Sequence, residues 1–315
     1  MSEYRKIKIG LIGAGKMGSF HAQKLAAISS VSFKGVYDAD QERAKEIAAQ
    51  YKKKAFTALE DLCNTCEAAV IAAPTETHLE IGLYCLEKGL HLLIEKPLAQ
   101  NSEDALALVE LAEQKQRILA VGHVERFNPA YIALKKLLHK HIILRIDAKR
   151  FSPFPERMSA YDVVFDMMIH DIDLALDLSR SMPDTIEGKG KKVKTDQLDV
   201  ATAKILMQNG ILAKLEGSRV EENKVRELVV TLDEHNFVAD LQNRKLYKVS
   251  LAAPEAAQPF PESEEIPVPD ADPLTLEIKD FVRAIRHNAP SQVTGEDGLK
   301  AIRIAEAIQQ GDYKA

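Results

Sequence analysis

Hydrophobic positions between Lys6 and Val121 fall into two alternating rhythms. Short apolar runs at Ile7–Ile12, Val31–Tyr37, Ala68–Ala73, His91–Ile94 and Ile118–Val121 read as buried strands. Between them, helical spacing runs from about Met17 to Ala27, Gln41 to Gln50, Glu76 to Lys88, where Gly89 stops it, and Ser102 to Lys115. Strand–helix alternation with apolar strands predicts an α/β fold with a doubly wound parallel sheet. The rhythm changes after Gly122. Asn128-Pro129 opens a helix to about His139, with proline in the first turn. Ile142–Arg150 reads as a strand and Asp162–Leu178 as one long helix. Ala201–Met207 and Ile211–Ser218 flank an Asn209-Gly210 turn, and Val225–Leu232, Phe237–Leu241 and Lys245–Val249 continue the strands. Residues 251–273, rich in proline, glutamate and alanine, read as a surface excursion before two closing helices, Leu274–Asn288 and Asp297–Gln309. The expectation is a domain over residues 1–122 followed by a mostly antiparallel α+β domain over 123–315.

Composition narrows the function classes. A chain of 315 residues with 46% hydrophobic and 28% charged content is an ordinary globular protein with room for two domains. A net charge of -5 argues against a general nucleic-acid binder, while a few arginines in one cleft would still serve an anionic small substrate. No basic-then-apolar leader and no apolar run of the roughly 20 residues a membrane helix needs are seen, so the expected location is the cytoplasm. Three cysteines suit a reducing compartment. Cys63 and Cys66 form a CxxC without the second pair a zinc ribbon needs, so no metal centre is expected.

Three motifs carry chemistry. Gly13-Ala14-Gly15-Lys16-Met17-Gly18 fits G-x-G-x-x-G between a strand and a helix. There the first glycine turns the chain, the second admits a pyrophosphate and the third lets helix and strand pack. Asp38, about 20 residues on, ends the second strand, where a carboxylate accepts from ribose hydroxyls and repels a 2′-phosphate. NAD is therefore the expected cofactor, with Arg43 either a phosphate contact or a solvated helix residue. Ala73, Pro74, Thr75 and His78 follow the Ala68–Ala73 strand and should line the cofactor crevice, His78 serving equally well as a polar residue at a helix start. Glu95-Lys96-Pro97 ends the next strand on the same rim, with Pro97 expected to take a cis bond that aims the lysine. Asp166 and His170 are four apart on a predicted helix, so they share a face, and Asp173 lies close to it. A carboxylate beside an imidazole fixes its tautomer and raises its basicity, which suits a general base. Arg126, Arg150, Arg157 and Arg219 fall near predicted element ends, where arginine could hold a diphosphate with paired hydrogen bonds.

The glycine loop, the Glu-Lys-Pro strand end and the D-x-x-x-H helix, in this order, resemble the glucose–fructose oxidoreductase/inositol dehydrogenase (Gfo/Idh/MocA) family over nearly the whole chain. The resemblance implies a Rossmann domain followed by an α/β domain with an open sheet that commonly mediates dimers or tetramers, with Lys96, Asp166 and His170 catalytic. The chain departs from many members in lacking a glycine pair before D-x-x-x-H and a glycine before the histidine. Gly122-His123-Val124-Glu125-Arg126-Phe127-Asn128-Pro129, Ile169-His170-Asp171-Ile172-Asp173, and Ser218-Arg219-Val220 with Lys224-Val225-Arg226 resemble the family's nucleotide-sugar 3-dehydrogenases. That likeness implies a UDP-sugar, UDP-N-acetylglucosamine foremost, as the substrate near Glu125, Arg126, Asn128, Arg157 and Arg219. It also implies a pyridoxal-phosphate-dependent 3-aminotransferase acting next, toward lipid A. UDP-N-acetylglucosaminuronic acid, inositol or a free sugar are alternative substrates. A non-catalytic NAD-sensing protein is the alternative from another class.

Overall fold

The computed structural model describes residues 5–154, 161–251, 263–311 and 313–314. The chain folds into two compact units, Met1–Val124 with Pro273–Lys300, and Glu125–Asp272 with Ala301–Ala315. Where the sequence suggests one cut after Gly122, the segment Pro273–Lys300 thus returns to the first unit.

The first unit alternates β1 (Ile7–Ile12), α1 (Lys16–Ala27), β2 (Val31–Tyr37), α2 (Gln41–Gln50), β3 (Lys54–Phe56), α3 (Leu59–Thr65), β4 (Ala68–Ile71), α4 (His78–Glu87), β5 (His91–Glu95), α5 (Ser102–Gln114) and β6 (Leu119–Gly122). The six strands are parallel in the order β3-β2-β1-β4-β5-β6. Strand order reverses between β1 and β4, and loops at the carboxyl ends of those strands bound the crevice where such sheets take ligands. Ile9, Leu11, Val36, Val70 and Leu93 form the core with Ala22 and Leu25 of α1. Four apolar residues near the end of the chain, Leu274, Ile278, Phe281 and Val282, complete that core. Asp40 and Asn101 cap α2 and α5 by accepting backbone N–H groups, which explains where those helices begin.

The second unit carries α6 (Pro129–Leu138), β7 (Arg145–Phe151), a π turn (Val164–Met168) continuing into α7 (Ile169–Ser179), then β8 (Pro183–Lys191), β9 (Val200–Met207), β10 (Leu212–Ser218), β11 (Val225–Thr231), β12 (His235–Asp240), β13 (Lys245–Ser250) and β14 (Ser263–Ile266). Helices α8 (Pro273–His287) and α9 (Gly295–Gln310) and the short β15 (Tyr313–Lys314) end the chain. The nine strands run β14-β13-β12-β11-β7-β10-β9-β8-β15, antiparallel except for the β7–β10 pair. Alternation along β7 sends Ile146, Ala148 and Arg150 to the buried face and leaves Arg145, Asp147 and Lys149 half-buried on the other. Helices α6 and α7 and the π turn pack on the sheet.

Three expectations need correction. The single helix Asp162–Leu178 is broken by the π turn, in which the Ile169 N–H donates to the Val164 carbonyl five residues back. Strand β8 escapes the periodicity reading because its inward positions are Pro183, Ile186 and Gly188, one large apolar residue in three. Gly188 is small for a reason: a Cβ there would stand 2.2 Å from the Ile308 carbonyl oxygen. The stretch 251–273 contains strand β14, while residues 252–262 lie outside the described residues.

Each buried arginine described in the second unit is paired with a carboxylate. Arg219 is 1% exposed and donates to Asp199 at 2.9 Å, to the Tyr161 carbonyl at 2.9 Å, and to Thr195 Oγ1 at 3.1 Å. Asp199 also accepts from the N–H groups of Val193, Lys194 and Thr195. Burial pushes the Asp199 carboxyl pKa up, but these donors outweigh it and hold it well below the usual range. A carboxyl depressed on folding contributes stability above its unfolded pKa of about 4, and that contribution is lost as pH falls through the folded value. Asp199→Ala leaves Arg219 as an unpaired buried charge and is expected to cost about 3–5 kcal/mol at neutral pH, read from the urea midpoint. An unmoved midpoint would show that the pair carries no structural load.

Candidate active site

The glycine loop is built by steric exclusion. Gly13 has φ +99°, and a Cβ there would lie 2.5 Å from the Ala72 carbonyl oxygen that follows β4. At Gly18, a Cβ would meet the Gly13 carbonyl oxygen at 2.0 Å, so α1 and the β1 end approach only because no side chain intervenes. Gly15 differs: a Cβ there would meet nothing within 4 Å. It stands at the N-cap of α1 with no side-chain cap bond, beside Lys16 and Met17 of the first turn, so the first N–H groups and the helix dipole remain available to an anion. An open glycine over an uncapped helix start fits the pyrophosphate of a dinucleotide.

Asp38, half-buried after β2, accepts the Ala14 N–H at 2.6 Å and the Asp40 N–H at 2.8 Å. It thereby ties the glycine loop to the end of β2 and places a carboxylate where ribose hydroxyls are expected. Arg43 is exposed and pairs with Asp40 at 3.1 Å, the solvated alternative of the two sequence readings. His78 is buried, with Nδ1 3.0 Å from the Pro97 carbonyl oxygen and Nε2 3.0 Å from that of Ala73. Burial lowers its pKa, with both carbonyls pulling the other way. It is a strut between two rim loops, and its ring is not exposed to a cofactor. Ala73 and Thr75 are half-buried and Pro74 exposed on that rim.

The Lys96–Pro97 bond is cis, and Lys96 is half-buried at the carboxyl end of β5. Glu95, expected at the cofactor, is buried: its Oε1 lies 2.6 Å from His21 Nε2 of α1, and its Oε2 accepts the Lys96 N–H at 3.3 Å. Burial raises the Glu95 pKa, but His21 and Lys96 outweigh that and hold the carboxyl below its usual range. Glu277 of α8 is 2% exposed, and neither of its oxygens has a hydrogen-bond partner. His21, Glu95 and Glu277 bring possible ligand atoms within 4.8 Å of one another. The short His21–Glu95 bond already closes two of the three upon each other. Burial, with the charges of Glu95 and Asp280, pushes the Glu277 carboxyl well above the usual range. Cys63 Sγ lies 3.7 Å from Cys85 Sγ, a contact that lowers the Cys63 thiol pKa, while burial pushes the Cys66 thiol up to about 12.

In the second unit, Asp166 stands in the π turn and His170 in the first turn of α7, both half-buried. Asp173, placed near them by helical spacing, instead takes a bidentate pair with Arg126, both bonds 2.7 Å. Arg126 reaches Asp177 as well, at 2.8 Å. Arg150 bridges Asp171 and Glu125 in the same manner, at 2.8–2.9 Å. Asn128 caps α6 and donates to Glu125 and to the Leu241 carbonyl. Glu125, Arg126, Asn128, Arg150 and Arg219 are thus buried structural groups, and the three arginines among them are committed to carboxylates instead of being open to a diphosphate. Arg157 lies outside the described residues. Arg226, of the Lys224-Val225-Arg226 run, has a side chain that is 52% exposed, 3.6 Å from Glu125 and opposite Arg150 in register.

A family model described as "Oxidoreductase family, NAD-binding Rossmann fold" (GFO_IDH_MocA) matches residues 7–123. The chain is 34% identical over 304 residues to the UDP-N-acetylglucosamine 3-dehydrogenase of Acidithiobacillus ferrooxidans, covering 96% of each. It is 25% identical over 339 residues to myo-inositol 2-dehydrogenase of Thermotoga maritima, again covering 96% of each. A solved structure of UDP-N-acetylglucosamine 3-dehydrogenase from Acidithiobacillus ferrooxidans matches with a TM-score of 0.90 at 33% identity, over 97% of each chain.

Two predictions follow from the first unit's geometry. Gly15→Ala is expected to keep the wild-type melting temperature while weakening NAD about tenfold or more, by calorimetry, because only a bound phosphate would meet the new methyl. Equal affinity would remove Gly15 from the cofactor cradle. Glu277 has a raised folded pKa, so folding takes up a proton and stability falls as pH rises above the unfolded value of about 4.3. Glu277→Gln is therefore expected to melt higher than wild type at pH 8, with the difference closing near pH 4; a variant less stable at pH 8 would show that Glu277 is ionised there.

Proposed function

Because the chain belongs to the Gfo/Idh/MocA oxidoreductases and binds NAD through its Rossmann unit, we propose that it oxidises the 3-hydroxyl of UDP-N-acetylglucosamine to the 3-keto sugar. It is an NAD-dependent enzyme of the class acting on CH–OH groups. The observation that carries the substrate reading is the 34% identity to a UDP-N-acetylglucosamine 3-dehydrogenase, which extends over 96% of the chain and so includes the second unit.

When bound, NAD supplies a hydride acceptor. The residues do the remainder of the work. His170 accepts the proton of the 3-hydroxyl at a ring nitrogen, and Asp166 orients the imidazole and stabilises its charged form. The Lys96 ammonium balances the charge that grows on the oxygen as hydride leaves C3. Asp38 favours NAD over NADP, since its carboxylate would repel a 2′-phosphate. The keto product has the chemistry a pyridoxal-phosphate-dependent 3-aminotransferase consumes, giving a 3-amino sugar for lipid A. The half-buried outer face of the second unit's sheet, with Leu206 and Leu212 38% and 37% exposed, supports a homodimer or homotetramer formed through it.

Mixing the enzyme with NAD and UDP-N-acetylglucosamine, with a 3-aminotransferase to remove the product, is expected to produce absorbance at the NADH band that needs both substrates. Lys96→Ala and His170→Ala are each expected to lower turnover by about 10²–10⁴-fold while keeping NAD affinity. Turnover with myo-inositol in place of the nucleotide sugar would keep the enzyme class and overturn the substrate. Wild-type rates in either variant would overturn the residue roles.

A further inference from the structure

The segment bearing Asp166 and His170 is held at its start by one carboxylate. Asp162 is 9% exposed. Its Oδ1 accepts the N–H of Val164 at 3.0 Å and of Phe165 at 3.2 Å, the first residues of the π turn. Its Oδ2 accepts Gln309 Nε2 of α9 at 2.5 Å. Its own carbonyl accepts the Asp166 N–H at 2.9 Å. On either side, the Tyr161 carbonyl is fixed by Arg219 and the Val163 N–H by the Leu198 carbonyl, 2.9 Å each. The chain therefore enters the π turn with three successive residues tied to groups outside it.

A π turn leaves its first N–H groups without partners inside the helix, and it is a less stable winding than the α-helix it interrupts. Without an acceptor at Asp162, Val164 and Phe165 would have buried N–H groups to satisfy, and rewinding the turn toward α geometry would rotate Asp166 relative to His170. Each residue wound differently changes the angular offset between those side chains, whereas helix α7 beyond the turn is pinned by Asp171 and Asp173 to Arg150 and Arg126. The adjustable part of this segment is thus Val164–Met168, and Asp162 is the side chain that sets it.

We propose that Asp162, through its bridge from the Val164 and Phe165 N–H groups to Gln309, is a positioning residue that keeps Asp166 in register with His170. The inference rests on the assignment of Asp166 and His170 made above. Asp162→Ala is expected to lower kcat with UDP-N-acetylglucosamine and NAD about 10–100-fold, since a misplacement of about 1 Å costs that much, with NAD affinity unchanged. Asp162→Asn keeps an acceptor for both N–H groups, and a turned Gln309 amide can offer its oxygen to the new donor, so kcat is expected to return to near the wild-type value. A second readout needs no substrate: the imidazole resonances of His170, identified by their loss in His170→Ala, should move in Asp162→Ala at constant pH and return in Asp162→Asn. Folded Asp162→Ala with wild-type kcat and unmoved His170 resonances would overturn the proposal. If Asp162→Ala does not fold, Gln309→Leu replaces it, because that change removes only the outer half of the bridge; an unaltered His170 signature there overturns the bridge. Should wild type be inactive on the nucleotide sugar, or His170→Ala fully active, the functional reading fails, while the His170 resonances still decide the role of Asp162.

Discussion

The Asp199–Arg219 pair is the constraint that fixes the backbone leading into the π turn of the second unit. Both side chains are at most 1% exposed, and taking two charges out of water costs several kcal/mol apiece before their attraction returns it. Such a pair adds little net stability relative to an apolar filling of the same shape. It is decisive against alternatives, because any arrangement that separates the partners leaves a charge buried alone. Arg219 uses that property to fix backbone: its planar fork reaches Asp199, Thr195 and the Tyr161 carbonyl together, and few positions of residue 161 satisfy all three. The same device recurs along α7, where Asp171 and Asp173 meet Arg150 and Arg126. A one-residue slip of that helix would break both pairs at once.

The first unit reaches comparable definition by sterics and by hydrogen bonds to loop carbonyls. Gly13 and Gly18 allow backbone approaches that a methyl group would forbid, and Asp38 ties the loop they form to the end of β2. His78 bridges the loops after β4 and β5, and Glu95 turns inward to His21, anchoring the backbone from which Lys96 extends. The residues that sequence motifs single out around a reacting group therefore divide by direction. Lys96 is left at the rim, while its neighbour Glu95 supports it from within the core.

Five of the first unit's six strands were legible because apolar strands buried on both faces leave an unambiguous rhythm, whereas the three-residue β3, with one buried side chain, was too short to show; the glycine loop was legible because its steric demand is met by one residue type. The π turn was not legible. Val163, Val164, Phe165, Met168 and Ile169 are apolar at spacings that suit an uninterrupted helix, and the signal for the wider turn is a hydrogen bond from Ile169 to Val164. Strand β8 was hidden in part by Gly188, whose smallness answers to a neighbour 120 residues away, Ile308. Distant pairing is also why the burial of the arginines was not legible. Their partners Asp171, Asp173 and Asp199 are far from them in sequence, so each read as either a solvated residue or a diphosphate contact.

The pairing of these arginines has an energetic consequence for anion recognition. A phosphate that recruited Arg126, Arg150 or Arg219 would have to displace a carboxylate already desolvated beside it, and removing one member of a buried pair costs about 3–5 kcal/mol. The approaching dianion would also meet Asp171, Asp173 or Asp199 at close range, which adds repulsion in a medium that screens poorly. That loss and the repulsion together would cancel much of what two or three phosphate hydrogen bonds, at about 1.5–3 kcal/mol each, contribute. Arg226 is under no such restriction: half its side chain is in solvent, its nearest carboxylate is 3.6 Å away, and that carboxylate, Glu125, is already satisfied by Arg150 and Asn128. Charge recognition in this unit is therefore open to groups at the ends of the strands, while the arginines within serve to keep the acids of α7, and with them His170, in one place.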